Sequence, residues 1–172
     1  MKLLIHACCA PCLTYVHQQL KDDDVTVYWF NPNIHPYREY QQRLHSMERY
    51  ADLNNISVVY SKDYLLKEFL CGAMEAKNRC EFCYEWRLNS TADYASKNGY
   101  DAFTTTLCIS PYQDQDLIRA IGENAAKKFG SRFMYRDMRN EFRESKRMAR
   151  EKELYMQKYC GCIFSEEERY RS

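Results

Sequence analysis

Short apolar runs alternate with longer amphipathic stretches along this chain, and that alternation sets the fold class before any single residue does. Lys2–Ala7 reads as a buried strand. Val25–Phe30 (VTVYWF), rich in β-branched and aromatic residues, is a second, and Ile56–Tyr60 and Ala102–Thr106 are a third and fourth. Arg132–Tyr135 is a short fifth. Between them, helices are predicted over Leu13–Leu20, Tyr37–Leu53, Tyr64–Leu70, Cys80–Lys97 and Asp114–Phe129. A loop runs through Gly72, and Gly99 and Gly130 close the helices before them, since a left-handed C-cap suits glycine. A charged helix over Asn140–Tyr159 leads into Cys160-Gly161-Cys162.

Strands separated by helices of this length predict an α/β fold. The expectation is a single Rossmann-like domain over residues 1–172, with a mainly parallel sheet and helices on both faces. Residues 140–165, the C-terminal helix and CxC tail, complete its site. In open sheets of this class, sites form beyond the carboxyl ends of the strands. Cys8, Asn31 and Ser110 each follow a strand end, so three unusual segments converge on one side.

Composition adds compartment and chemistry. No stretch approaches the roughly 20 apolar residues of a membrane span, and His6 interrupts the first apolar run too early for a secretory signal. The expected location is the cytoplasm, with no membrane partner. A formal charge of +1 over 172 residues selects no partner by bulk electrostatics. Nine cysteines are the informative number: in a reducing compartment, clustered thiols are metal ligands or redox groups rather than a disulfide framework.

Seven of the nine fall into Cys8-Cys9-Ala10-Pro11-Cys12, Cys80-Glu81-Phe82-Cys83 and Cys160-Gly161-Cys162. Spacing alone does not separate structural zinc from an iron–sulfur cluster, since both use four-thiolate shells. One zinc would use four thiols and leave three without a role. A four-thiolate cluster plus a second metal, or plus a redox CxC pair, accounts for all seven. Cys71 and Cys108 stand alone and are assigned to packing.

Several longer motifs carry a resemblance. His6-x-Cys8-Cys9-Ala10-Pro11-Cys12, Asn31-Pro32-Asn33-Ile34-His35-Pro36-x-x-Glu39-Tyr40-x-x-Arg43, Arg79-Cys80-x-x-Cys83, Thr104-Thr105-Thr106-Leu107, Ser110-Pro111 and Tyr159-Cys160-Gly161-Cys162-Ile163-Phe164-Ser165 resemble, in this order and end to end, the QueH family. These are cobalamin-independent epoxyqueuosine reductases. The resemblance implies a [4Fe-4S] cluster, a neighbouring metal (iron) or redox thiols, and tRNA bearing epoxyqueuosine at the wobble position of its anticodon stem-loop. It also implies a fold similar to the adenine nucleotide α-hydrolases, with a cysteine loop where a phosphate loop would stand. Consistent with that, HACCAPC after the first strand contains no glycine-rich cradle, so no ATP is expected; that no cobalamin is used is implied by the resemblance alone. Cys108 departs from the pattern.

Converting an epoxide to an alkene consumes two electrons and two protons, which side chains do not supply, so a redox cofactor and an external ferredoxin- or flavodoxin-like donor are expected. Cys8, Cys9, Cys80 and Cys83 are the preferred cluster ligands. Cys12, Cys160 and Cys162 then bind the second metal or exchange electrons. Adjacent Cys8 and Cys9 serving different metals stays open. Tyr112, Tyr84, Asp137 and His35 are candidate proton donors. His6 either hydrogen-bonds a cluster sulfur or is an ordinary core histidine. Asn31, Asn33, His35, Arg43, Ser110 and Tyr112 are candidate substrate contacts, although Glu39 and Arg43 at i, i+4 equally suit each other. Ser110-Pro111 equally suits a helix start. Arg136, Arg139, Arg143, Arg147 and Arg150 form a candidate basic stripe for tRNA phosphates, diluted by Glu141, Glu144 and Glu151. The rival classes are a zinc-bound RNA-binding module without catalysis, and a thiol–disulfide oxidoreductase using Cys160 and Cys162.

Overall fold

The computed structural model describes residues 1–171. Four strands, β1 (Lys2–His6), β2 (Asp24–Phe30), β3 (Ser57–Ser61) and β4 (Ala102–Thr105), form an all-parallel sheet in the order β3-β2-β1-β4. The helices are α1 (Ala10–Gln19), α2 (Tyr37–Asn54), α3 (Leu66–Glu75), α4 (Arg79–Lys97), α5 (Gln115–Phe129), α6 (Phe142–Glu151) and α7 (Ile163–Tyr170).

Period-two alternation assigns each strand residue to one of two cores. Leu3 and Ile5 of β1 and Val27 and Trp29 of β2 join Leu13, Val16, Leu44 and Met47 of α1 and α2. Leu4, Tyr28, Phe30 and Phe103 face the opposite way, onto Ala92 and Ala95 of α4 and Ala125 and Ala126 of α5. Those alanines let the two helices lie close to the sheet. Each large side chain buried on either face contributes roughly 1.5–3 kcal/mol. The Rossmann-like α/β expectation, helices on both faces included, is met.

Connectivity places the site. From β1 the chain moves through α1 to β2 and α2 to β3, then crosses back through α3 and α4 to β4 on the other side of β1. The direction of winding reverses between β1 and β4, which opens a crevice beyond their carboxyl ends. Cys8 and the 3-10 turn Thr106–Ile109 border that crevice, with Cys8 Sγ 3.8 Å from Thr106 Oγ1.

Three expectations are corrected. Gly72 lies inside α3 rather than in a loop; a Cβ there would stand 2.2 Å from the Phe82 ring, so glycine is what lets α3 close onto α4. The fifth strand reduces to a single parallel bridge, Phe103 with Phe133. The charged helix is shorter at both ends: α6 runs from Phe142 to Glu151, where Glu153 turns the chain with φ of 53° so that Leu154 buries. Residues 152–162 carry no regular structure, and α7 follows them without having been foreseen.

Candidate functional site

All three thiol groups sit at helix N-termini. Cys9 is the N-cap of α1 and Cys12 lies in its first turn. At α4, Asn78 Oδ1 accepts from Cys80 N (3.0 Å) and Glu81 N (3.3 Å), fixing the turn that carries Cys80 and Cys83. Cys162 is the N-cap of α7, its sulfur accepting from Ser165 N at 3.4 Å. The positive ends of three helix dipoles are thus directed at thiols.

The crevice is a cavity of about 810 Å³ whose wall includes Cys8, Cys12, Cys160, Thr106 and Arg87. Hydrogen bonding to Cys9, with burial, raises the Cys8 thiol; Cys9, bonded to Cys12 and buried, is pushed up to about 12, as burial pushes Cys83. The charge neighbours of Cys80 and Cys83 are Cys160 and Cys162, and Cys8 neighbours Cys160. Cys80, Cys83, Cys160 and Cys162 are thus one another's neighbours, Cys8, Cys9 and Cys12 are linked in series, and Cys8 beside Cys160 joins the two groups. Among the described residues, no three Cys, His, Asp or Glu side chains already surround a common point at metal-holding spacing. The thiols are gathered and free, and Cys9 is hydrogen-bonded to both Cys8 and Cys12.

Arg87 stands in the wall of this basin. It is 1% exposed, donates from Nε to Cys83 O at 3.2 Å, has no carboxylate partner among the described residues, and its Nη2 has no hydrogen-bond partner at all. A buried, unpaired guanidinium is costly unless an anion faces it, and the groups around it are Cys83, Cys8 and Cys160. Two glutamines also bind sulfur: Gln113 Nε2 donates to Cys160 Sγ (3.4 Å) while its Oε1 accepts from Tyr84 (2.8 Å), and Gln157 Nε2 donates to Cys9 Sγ (3.0 Å).

The Asn31–Arg43 motif turns out to be a bed for the C-terminal thiols. Arg43, 1% exposed, donates to Glu39 Oε1 (2.7 Å), Cys160 O (2.8 Å) and Tyr159 O (2.9 Å). Glu39 Oε2 accepts from Tyr155 (2.6 Å). His35 N donates to Gly161 O (2.8 Å), its Nε2 to Pro32 O (3.0 Å), and its Nδ1 accepts from Ile163 N (3.4 Å). Asn33 packs within 3.1 Å of where a Cβ on Gly161 would lie, and Gly161 has φ of +155°. Asn31 Nδ2 donates to Ala7 O (2.9 Å), tying the ends of β1 and β2. Asn31, Asn33, His35 and Arg43 are buried, none of them lines the cavity, and their hydrogen bonds run to the chain itself.

Ser110 and Tyr112 do line the cavity, and Tyr112 is 81% exposed at its mouth. The helix after them begins at Gln115, capped by Asp114 rather than Ser110. Asp137 lies outside the cavity wall, and Arg139, 2.6 Å away, holds its carboxyl below the usual range. His6 is the ordinary core histidine: its nitrogens bond Thr105 Oγ1 (2.9 Å) and Phe30 O (3.2 Å), and burial lowers it to about 3. Cys108 is buried as expected, but Cys71 is exposed. The arginine stripe is broken, since Arg136 and Arg139 precede α6, and Arg147 is held by Glu144 and Glu151. Sequence reasoning passed over Arg87, Gln113 and Gln157, although an arginine four residues after Cys83 on one helix was a usable signal.

The family model described as epoxyqueuosine reductase QueH matches residues 3–168. The chain is similar to a protein of that name from Dehalococcoides mccartyi, 37% identical, covering 98% of this chain and 94% of the relative. It is also similar to one from Thermotoga maritima, 33% identical over 95% of this chain and 89% of the relative, and one from Streptococcus pyogenes, 33% identical over 95% and 69%.

Proposed function

This chain belongs to the epoxyqueuosine reductase QueH family, and from that premise we propose that it is an oxidoreductase converting epoxyqueuosine to queuosine at the wobble position of tRNA. The observation that carries the mechanism is the convergence of three thiol-bearing helix N-termini beside a buried, unpaired guanidinium. That donor set fits a thiolate-bound group of net negative charge, because four positive elements already face it before any metal binds. In this reading Cys80, Cys83, Cys160 and Cys162 hold a [4Fe-4S] cluster, and Cys8, Cys9 and Cys12 hold a second metal ion, iron by preference. When bound, these groups supply electrons and polarise the epoxide oxygen.

The remaining work belongs to the chain's own residues. Arg87 faces the thiolates and favours the more negatively charged, reduced state. Gln113 and Gln157 orient sulfur through their amides. Thr106 and Ser110 offer hydroxyls to the polar edges of the modified base, and the cavity is large enough to receive that base once it leaves its stack. Tyr112, at the mouth, stacks on the base or donates a proton as the ring oxygen departs. The balance is one epoxide, two electrons and two protons giving one alkene and one water. The electrons come from an external ferredoxin- or flavodoxin-like donor, and neither ATP nor cobalamin takes part. Free thiols of this number suit the cytoplasm. Among the described residues no helix is long and apolar enough to cross a membrane.

Protein purified anaerobically and supplied with iron and sulfide is expected to be brown, with acid-labile sulfide near cluster stoichiometry. With a chemical reductant it should remove one oxygen from epoxyqueuosine in tRNA, read by nucleoside mass spectrometry. Stoichiometric zinc without sulfide, and no loss of oxygen, would return the chain to the zinc-bound RNA-binding class.

A further inference from the structure

The mouth of the cavity is far more basic than the chain. Lys146, Arg150, Lys158 and Arg169 line it, and none of them is in an ion pair among the described residues. The one carboxylate in the same wall, Glu168, is held by Arg79. Against a whole-chain charge of +1, this is a concentrated positive rim. It also carries an aromatic step. On α6, Phe142, Lys146 and Arg150 recur every four residues and so share one face. Tyr112 meets the Phe142 ring edge-on at 5.7 Å, and Lys146 Nζ lies 5.0 Å over that ring.

We propose that this rim is the docking surface for a single-stranded RNA loop. Lys146, Arg150, Lys158 and Arg169 take phosphates on either side of the target nucleotide, while Tyr112, backed by Phe142, stacks on an unstacked base. Cations beside an exposed aromatic ring suit single-stranded nucleic acid, since phosphates meet charge and bases meet a π-face. A duplex or a lipid surface would not use the cavity behind them. The neighbouring arginines of α6 are excluded on the same grounds: Arg147 is occupied by Glu144 and Glu151, and Arg143 does not line the cavity. The inference rests on the tRNA reading and deepens it by naming the contact surface.

The test compares two double variants on one helix with the same loss of positive charge, Lys146→Gln/Arg150→Gln and Arg143→Gln/Arg147→Gln. Binding of an unmodified anticodon stem-loop RNA is measured from low to moderate salt, with a thermal melt confirming the fold. The rim variant should flatten the plot of log K against log salt by about 1.5, as two lost phosphate contacts would, and bind more weakly at every salt. The Arg143/Arg147 variant should keep most of the wild-type slope. A further Lys158→Gln/Arg169→Gln variant should flatten the slope by a similar amount. Equal slopes for the two α6 variants would overturn the surface while leaving the reductase reading intact. Wild-type protein that shows the rim-dependent slope but removes no oxygen from the modified tRNA would overturn the reductase reading and leave the surface standing. Equal competition by duplex DNA or anionic vesicles would overturn the assignment to single-stranded RNA.

Discussion

The two thiol-bearing ends of the site are built in opposite ways. Cys8, Cys9 and Cys12 stand on a strand–helix junction, with β1 paired on both sides and α1 packed over the sheet, so backbone ladders and apolar burial hold them. Cys160 and Cys162 stand on an irregular segment that owes its path to Arg43, Glu39 and His35, which bind its backbone and its own Tyr155 and Tyr159. The difference teaches that a precise site does not require regular structure on every side. A segment without helix or strand can be fixed as well by buried polar groups, provided each of them is satisfied. Its dependence on single residues is correspondingly greater.

The largest expected effect separates the two ends by their metal. Cys83→Ser and Cys160→Ser should each lose most of the iron and acid-labile sulfide, because the two sulfurs belong to one neighbour set. Cys12→Ser should keep the sulfide while losing activity. Retention of sulfide in Cys160→Ser would restore the division in which Cys8 and Cys9 complete the cluster and the CxC pair serves the second metal.

Next is the difference in what holds each end. Arg43→Ala removes two contacts to residues 152–162, the strap that carries the C-terminal thiols, and leaves Glu39 buried without its cationic partner, which is expected to cost about 3–5 kcal/mol in chemical denaturation. Hydrogen exchange should quicken across 153–163 and stay slow in β1. Tyr155→Phe, losing one hydrogen bond to Glu39, should cost about 1.5–3 kcal/mol. Equal loss of protection in β1 would show that the two ends are not independently held.

Arg87 lies between the ends and faces both. Arg87→Gln should keep cluster absorbance but move its reduction potential to more negative values, because a positive charge favouring the reduced state is gone. Arg87→Lys should recover part of that shift. An unchanged potential in a fully loaded Arg87→Gln protein would reduce the guanidinium to a packing role.

The smallest effect concerns the thiols themselves. Cys83 and Cys108 are pushed up to about 12 by burial. The unfolded chain releases these protons near pH 8.5, so between roughly pH 9 and 12 the folded state binds more protons and metal-free stability falls as pH rises. Each such thiol contributes at most about 1.4 kcal/mol per pH unit. Urea midpoints at pH 8 and 10 check the sign. Loading with metal should remove the contribution of Cys83 and leave that of Cys108.

Much of the regular half was legible from the sequence, because β-branched runs and glycine caps report local geometry directly. The convergence of Cys8 and Ser110 on one side follows from parallel strand order, which the alternation of elements implies. Gly72 misled because a glycine reads as a break, whereas its cause is a ring from the next helix, which no local pattern encodes. The strap after Glu151 misled in the opposite sense: residues 152–159 are mostly good helix formers with no glycine or proline among them, and tertiary bonds to Arg43 and Ser46 override that preference. Asn31, Asn33, His35 and Arg43 were visible as an unusual motif, but whether such a motif touches a ligand or another part of the chain is decided only by packing. Arg87 could be seen on the helix of Cys83, and its lack of a carboxylate could not.

The single bridge between Phe103 and Phe133 has a consequence for crowded solutions. Arg132 O accepts from Phe103 N at 2.8 Å and Phe103 O accepts from Met134 N at 2.9 Å, so the outer backbone groups in the middle of β4 are already occupied. A four-stranded sheet has two margins at which a neighbouring molecule could add a strand, and this stub takes up one of them. Unwanted self-association by strand addition would therefore begin at β3, whose end is followed by Lys62 and Asp63, charged residues of the kind that discourage such stacking.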